Sequence, residues 1–346
     1  MADGTKIEWT DATWNPITGC AVVSPGCTNC YAMKLAGTRL KHIPSRAGLT
    51  RDTKAGPVWT GEIRFNAEWL DQPLRWRRPR MIFVCAHGDL FAEGVTDEML
   101  DHVFAVMALA PQHTFQVLTK RPERMRDYVR RSAGRIADTI IRLRRGQGNA
   151  HIGGVPLAHI PLGRAWWPLQ NVWLGVSAED QRRADERIPM LLDTLAAVRW
   201  VSAEPLLGPL DISDYLMGHE ECGMVGQMIS YRPPLDWVVV GGESGHGARP
   251  MHPDWARSLR DQCARDRIPF LFKQWGHWAP RRHAEPSDLL PYPKATIVKP
   301  SGSITSGLME YGPDAWVVDG VGKKAAGRML DGVQHDGYPP ADEILF

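Results

Sequence analysis

Short runs of apolar, β-branched residues recur along the chain, each followed by small or polar residues. They are Met81–Cys85, Thr114–Leu118, Val172–Val176, Val198–Val201, Trp237–Val240 and Pro269–Phe272. Their apolar character is nearly continuous rather than alternating, which suits strands buried on both faces, as in a parallel sheet covered by helices. Stretches with helical periodicity lie between them. Asp97–Ala110 places Leu100, Val103, Phe104 and Met107 on one stripe, and 179–197 and Asp254–Arg267 read the same way. The last opens with His252-Pro253-Asp254, a helix start with proline in the first turn. Strand followed by helix, repeated about six or seven times, predicts an α/β fold: a TIM-type or partial (β/α) barrel, or a doubly wound sheet.

Two insertions interrupt this pattern, at about residues 132–170 and 216–234. The first carries the basic run Arg142–Arg145 and then a Gly-rich stretch; the second holds Cys222. The expected organisation is a barrel over 1–276 with these insertions, followed by a small subdomain or extension over 277–346 that contains Trp316–Gly320 and Arg328–Gly332. The length of 346 residues is compatible with one large α/β domain or two smaller ones. The N-terminus lacks a signal-peptide pattern and no apolar run is long enough to cross a bilayer, so a cytoplasmic location with no membrane partner is expected.

Three of the six cysteines fall within eleven residues, in Thr18-Gly-Cys20-Ala-Val-Val-Ser-Pro-Gly-Cys27-Thr-Asn-Cys30-Tyr31. An odd number of thiols cannot be consumed by local disulfides, and six cysteines are too few for a disulfide scaffold in a chain this long. A structural zinc site needs a fourth ligand from a distant residue such as His42, His87 or Cys85. A redox pair at Cys27 and Cys30 leaves Cys20 unexplained. An iron–sulfur cluster held by Cys20, Cys27 and Cys30 accounts for all three thiols, and Gly19, Pro25 and Gly26 let the backbone wrap a bulky inorganic core.

In parallel α/β folds, loops at the carboxyl ends of strands converge on one face. Those positions here are His87 and Asp89, Lys120 and Arg121, Ser177 and Glu179, Glu204, Gly241-Gly242-Glu243, and Lys273-Gln274-Trp275. Asp89, Ser177, Gly241, Gly242 and Glu243 are candidates for binding a cofactor; Lys120, Glu204 and Lys273 are candidates for acting on substrate, with the two lysines anchoring a carboxylate or phosphate. Each alone is as well explained as a loop charge or ion-pair member, and Gly241-Gly242 as a tight turn. The basic segments Arg75–Arg80, Lys120–Arg126 and Arg142–Arg145 include a Trp-Arg mixture suited to phosphate and base contacts. A net charge of +2 over the whole chain makes solvated helix faces the simpler reading.

The cysteine loop resembles the corresponding element of radical S-adenosylmethionine (SAM) enzymes in chemistry and fold. Those are partial or full β/α barrels in which three cysteines follow the first strand and leave one iron of a [4Fe–4S] cluster open for SAM. Here Trp14–Ile17 serves as the expected first strand, and the spacing carries three extra residues in the first gap. The Gly-Gly-Glu element of those enzymes ends the second strand, where this chain has His87-Gly-Asp89, making Asp89 the positional equivalent. A closer resemblance covers about residues 7–276. It rests on Thr18-Gly-Cys20, Ser24-Pro-Gly-Cys27-Thr-Asn-Cys30-Tyr-Ala32, Leu118-Thr-Lys-Arg-Pro-Glu-Arg124, Trp173-Leu-Gly-Val-Ser177, Ser202-Ala-Glu-Pro-Leu-Leu-Gly208, Val239-Val-Gly-Gly-Glu-Ser-Gly245 and Phe272-Lys-Gln-Trp-Gly276. On these motifs the chain is identified as a member of a phage and bacterial three-cysteine-motif family, domain of unknown function 5131, described as radical-SAM-like. The resemblance implies a [4Fe–4S] cluster, SAM, a flavodoxin- or ferredoxin-type reductant, and cleavage of SAM to a 5′-deoxyadenosyl radical that modifies or repairs a substrate. The family's occurrence in phages and mobile elements suggests a nucleic acid or nucleotide as that substrate. The alternatives are a zinc- or cluster-containing nucleic-acid-binding module without catalysis, or a defence-associated partner protein.

Overall fold

The computed structural model describes residues 4–145, 166–221, 230–232, 234–284, 295–305 and 314–340. The Gly-rich part of the first insertion and Cys222 lie outside the described residues. A seven-stranded sheet is built from β1 (Ala12–Trp14), β2 (Met81–Val84), β3 (Thr114–Thr119), β4 (Val172–Ser177), β5 (Val198–Ala203), β6 (Trp237–Gly241) and β7 (Phe270–Gln274). Its strands follow one another in sequence order. The pairs β1–β2, β2–β3, β3–β4, β5–β6 and β6–β7 are all parallel. A doubly wound sheet reverses its order at a switch point; this order has no reversal and is compatible with a partial β/α barrel.

The expected apolar runs form these strands for the expected reason. Every residue of β4 and of β6 is buried, so neither face of either strand meets water. Helices follow the strands: α1 (Tyr31–Gly37), α2 (Asp97–Leu109), α3 (Pro122–Arg131), α4 (Ala133–Arg144), α5 (Gln181–Leu192) and α6 (Pro253–Asp266). In α2 the predicted stripe Leu100, Val103, Phe104 and Met107 is buried, and the Thr96 hydroxyl caps the helix by accepting from the Met99 N–H. In α6 the His252 ring performs the same function for the Asp254 N–H, with Pro253 at the first helical position.

The first strand sits earlier than expected. Ala12–Trp14 pairs with β2, whereas Ile17–Thr18 pairs antiparallel with Arg64–Phe65. Pro16 between them has no N–H for a ladder bond, so the chain leaves the sheet there, and the Pro16 carbonyl accepts from the Asn66 N–H instead.

The chain divides into two compact units. One comprises residues 1–176, 193–199 and 340–346; the other comprises 177–192 and 200–339. The first holds β1–β3 and most of β4; the second holds most of β5, β6, β7 and a separate four-stranded antiparallel sheet. That sheet contains β8 (Trp278–His283), β9 (Ala295–Val298), β10 (Ile304–Thr305) and β11 (Trp316–Gly320), in the order β8-β11-β9-β10. It occupies part of the stretch expected to form a C-terminal subdomain. Among the described residues, no helix is long and apolar enough to cross a membrane.

Candidate functional site

The cysteine loop leaves β1 under tight polar control. The Asn15 side chain accepts from the His87 N–H at 3.0 Å, and Asn66 donates to the Asn15 carbonyl at 3.0 Å and to the Thr18 hydroxyl at 3.3 Å. Thr18 in turn donates to the Ser45 carbonyl at 2.7 Å. The Gly19 N–H then reaches the His87 carbonyl at 3.1 Å, forming a parallel bridge between Gly19 and Gly88 that extends the β1–β2 pairing. Glycine is required at 19, because φ is +96° and a Cβ there would lie 2.3 Å from the Glu62 carbonyl oxygen. These contacts join Cys20 to the residues that follow β2.

The rest of the loop is a sequence of turns. Pro25–Cys27 forms one 3-10 turn after Ser24, with the Cys27 N–H donating to the Ser24 carbonyl at 2.9 Å. The Cys30 N–H donates to the Cys27 carbonyl at 3.2 Å, and Cys30 leads directly into α1. Cys20 and Cys30 pack against a small cluster of Ala32, Met33, Ala36, Leu49 and Trp59. The helix after the cysteines and the hairpin at 50–59 thus provide an apolar base beneath the thiols.

Asp89, the residue at the expected Gly-Gly-Glu position, is the hub of the strand ends in this unit. Its carboxylate is buried and accepts from the Phe91 N–H at 2.9 Å, the Thr119 hydroxyl at 2.7 Å, the Lys120 N–H at 3.1 Å and Arg121 Nη1 at 3.0 Å. Arg121 also donates from Nε to Glu93 at 2.9 Å and from Nη2 to the Ala21 carbonyl at 3.3 Å, and its Nη1 lies 3.6 Å from Cys20 Sγ.

Burial dominates the electrostatics of the thiols. It pushes Cys20 up to about 12; the Asp89 charge and the neighbouring Cys27 and Cys30 add to this, and Arg121 opposes it. Burial also raises Cys30, with Lys120 pulling the other way. Neighbouring thiols therefore lie close enough to disfavour the charged forms of Cys20 and Cys30, and the cations that oppose this are Arg121 and Lys120 respectively. Cys85, buried in the left-handed region at φ 60° after β2, is raised by burial and feels the charges of Asp89 and Cys20. Burial and Arg46 push His87 down to about 4, so its ring is neutral. Its Nδ1 is buried without a hydrogen-bond partner, and its ring meets Tyr31 edge-on at 6.2 Å. Among the described residues, no three His, Cys, Asp or Glu side chains gather closely enough to hold a single ion.

The other predicted residues belong to the second unit, where each is tied to neighbours there. The Glu204 carboxylate accepts from Lys273 Nζ at 2.7 Å and from the Gln274 amide at 3.0 Å. Glu243 accepts from the Arg249 N–H at 2.8 Å, from its Nε at 2.9 Å and from its Nη2 at 2.5 Å. A Cβ on Gly241 would lie 3.2 Å from the Glu204 carboxylate, and one on Gly242 would lie 2.1 Å from the Trp275 carbonyl oxygen. At Gly242 the space a side chain would need is already taken by backbone, whereas at Gly241 it would crowd the Glu204 side chain. Ser177 is buried and its carbonyl accepts from Arg187, which pairs with the fully buried Glu179 at 3.0 Å.

Cys20, Cys27, Cys30, Asp89 and Lys120 therefore share the first unit, and Ser177, Glu204, Gly241, Gly242, Glu243 and Lys273 the second. The residues that reasoning from sequence did not assign to the site are Arg121, Asn15, Asn66, Thr119 and Glu93. Arg121 carried the only readable signal, a second cation beside Lys120 at a strand end. Of the basic segments, Arg124 donates to the carbonyls of Phe91, Ala92 and Val95, and so fastens a loop. Arg80 lies over the Trp76 ring at 4.9 Å.

A family model described as "Protein of unknown function (DUF5131)" matches residues 4–339. No curated protein and no solved structure matches the chain.

Proposed function

The chain belongs to this family of proteins of unknown function, and from that premise we propose that it is an iron–sulfur protein of the radical-SAM type, with Cys20, Cys27 and Cys30 as cluster ligands. The observation that carries the reading is the setting of the three thiols. They occupy one loop joined to the end of β2, they are mutual electrostatic neighbours, and cationic side chains stand beside two of them. Three thiolates largely withdrawn from water would be costly even with Arg121 and Lys120 near Cys20 and Cys30. A soft, cationic iron–sulfur core offsets that cost, and thiolates are the ligands it prefers. The donor set therefore fits the group.

When bound, such a [4Fe–4S] cluster supplies one-electron reduction of SAM at an open iron, with 5′-deoxyadenosine as the recoverable product. The chain's own contribution is placement and charge. Asp89 anchors the ends of β2 and β3 through four donors, which holds Lys120 and Arg121 in position beside the loop. Lys120, whose ammonium has no ion-pair partner among the described residues, is available for a carboxylate or phosphate. The apolar base of Ala32, Met33, Leu49 and Trp59 keeps water from the inner side of Cys20 and Cys30. A nucleic acid or nucleotide is the proposed substrate class, and a flavodoxin- or ferredoxin-type protein the proposed reductant.

The test is anaerobic reconstitution of the full chain followed by iron and sulfide analysis. Stoichiometric iron and sulfide are expected, with 5′-deoxyadenosine formed from SAM on reduction and lost in Cys30→Ala. Stoichiometric zinc with no iron after reconstitution would overturn the reading.

A further inference from the structure

Arg121 follows Lys120 at the end of β3, and its side chain is only 8% exposed. Its guanidinium is committed on every nitrogen. Nε holds Glu93, Nη2 holds the Ala21 carbonyl, and Nη1 is shared between the buried Asp89 carboxylate at 3.0 Å and Cys20 Sγ at 3.6 Å. The two carboxylates differ in setting: the Asp89 side chain is 8% exposed and the Glu93 side chain 66%. A guanidinium so enclosed keeps its charge and presents its donors in a fixed fork.

Resting on the cluster reading above, we propose that Arg121 is a positioning residue for Cys20 that sets the reduction potential of the group Cys20 ligates. The contact to Ala21 fixes the backbone just after Cys20, and the contact to Sγ directs an N–H at the sulfur itself. A donor to a ligating sulfur draws electron density from it and favours the reduced state, so the potential rises. Asp89 and Glu93 oppose that effect with negative charge, and they also hold the fork in place. Removing the guanidinium withdraws the donor and leaves Asp89 uncompensated beside the sulfur. Both changes drive the potential the same way, downward.

The experiment is a potentiometric titration of anaerobically reconstituted full-length protein, with iron and sulfide measured on each sample. The expected result is a full cluster in Arg121→Gln with a midpoint potential shifted negative, and a smaller negative shift in Arg121→Lys. Glu93→Gln removes an exposed negative charge while the Asp89 pair remains, so its shift is positive and smaller still. Opposite signs for the two Gln variants are not produced by a general loosening of the loop. Unchanged potentials in Arg121→Gln and Glu93→Gln at full iron content would overturn the role of Arg121 and leave the cluster reading standing. A wild-type protein that takes up no iron would overturn the cluster reading, and this proposal with it. If Arg121→Gln does not fold, Arg121→Lys decides the matter, because it keeps the charge but loses the forked donor to Cys20 Sγ; an unchanged potential at full iron content would overturn the role of Arg121.

Discussion

In the second unit the carboxylate of Glu204 is closed by Lys273 and Gln274, and that of Glu243 by Arg249. In the first unit Cys27 and Cys30 touch no charged side chain within hydrogen-bond distance among the described residues, and the ammonium of Lys120 enters no ion pair. Both sets of residues follow strands of the parallel sheet, yet in the first, beside the satisfied Asp89–Arg121 pair, the Lys120 ammonium and the thiols of Cys27 and Cys30 make no such ion pair among the described residues. A ligand entering the second set would have to break half-buried ion pairs before gaining anything. A soft ligand entering the first meets three thiols with Arg121 beside Cys20, and a lysine that enters no ion pair among the described residues. The comparison shows that polar residues at strand ends do not all mark a binding surface; their existing partners distinguish them.

The contrast is most sharply tested by removing a thiol. Cys27→Ala or Cys30→Ala should abolish iron and sulfide binding in reconstituted protein while shifting the urea midpoint by no more than about 1 kcal/mol of stability. Retention of full iron would show that the cysteine loop is not the ligand set. The glycines come next. Gly242→Ala drives a Cβ to 2.1 Å from the Trp275 carbonyl oxygen, and should cost roughly 3 kcal/mol or more by urea denaturation. Gly208, with nothing within 4 Å of its Cβ position, should tolerate alanine within about 0.5 kcal/mol. A Gly242→Ala protein of normal stability would mean that the second unit has room there after all.

The Glu204–Lys273 pair gives a smaller effect. Glu204→Gln or Lys273→Met alone should destabilise by about 1–3 kcal/mol, and the double variant by less than the sum, with iron content unchanged. Loss of 5′-deoxyadenosine formation without loss of stability would move Glu204 from the closed set to the working one. The smallest effect concerns His87, whose pKa falls from 6.5 to about 4 in the folded protein. The unfolded chain binds the proton first as pH falls, so stability is lost between pH 6.5 and 4 and is fully present above that window. For a partly exposed ring, the loss is on the order of 1–2 kcal/mol, and His87→Gln should flatten the pH dependence of the urea midpoint across that range.

Much of the fold was legible because burial on both faces leaves a local mark. Six of the seven strands of the sheet coincide with apolar runs to within two residues or so at their ends, and α2 and α6 coincide with periodic stretches and caps. The first strand was misplaced because Trp14 and Ile17 bracket Asn15-Pro16 as one short run, and only Pro16 tells the ladder where to stop. The cysteine loop was legible as a group because its members lie close in sequence. Arg121 was not, because its partners Cys20, Asp89 and Glu93 lie 101, 32 and 28 residues away.

By itself the sequence determined where six of the seven strands of the parallel sheet and helices α2 and α6 form, and that three thiols share one loop, since periodicity and short spacing are local properties of the chain. Only the tertiary structure decided which charges are already paired. Glu204 meets Lys273 across 69 residues because β5 and β7 flank β6, and Asp89 meets Arg121 because β2 lies beside β3. Hydrogen bonds and ion pairs act over a few ångströms in space, whatever the separation along the chain, so strand order rather than composition sets which strand ends remain open to a ligand.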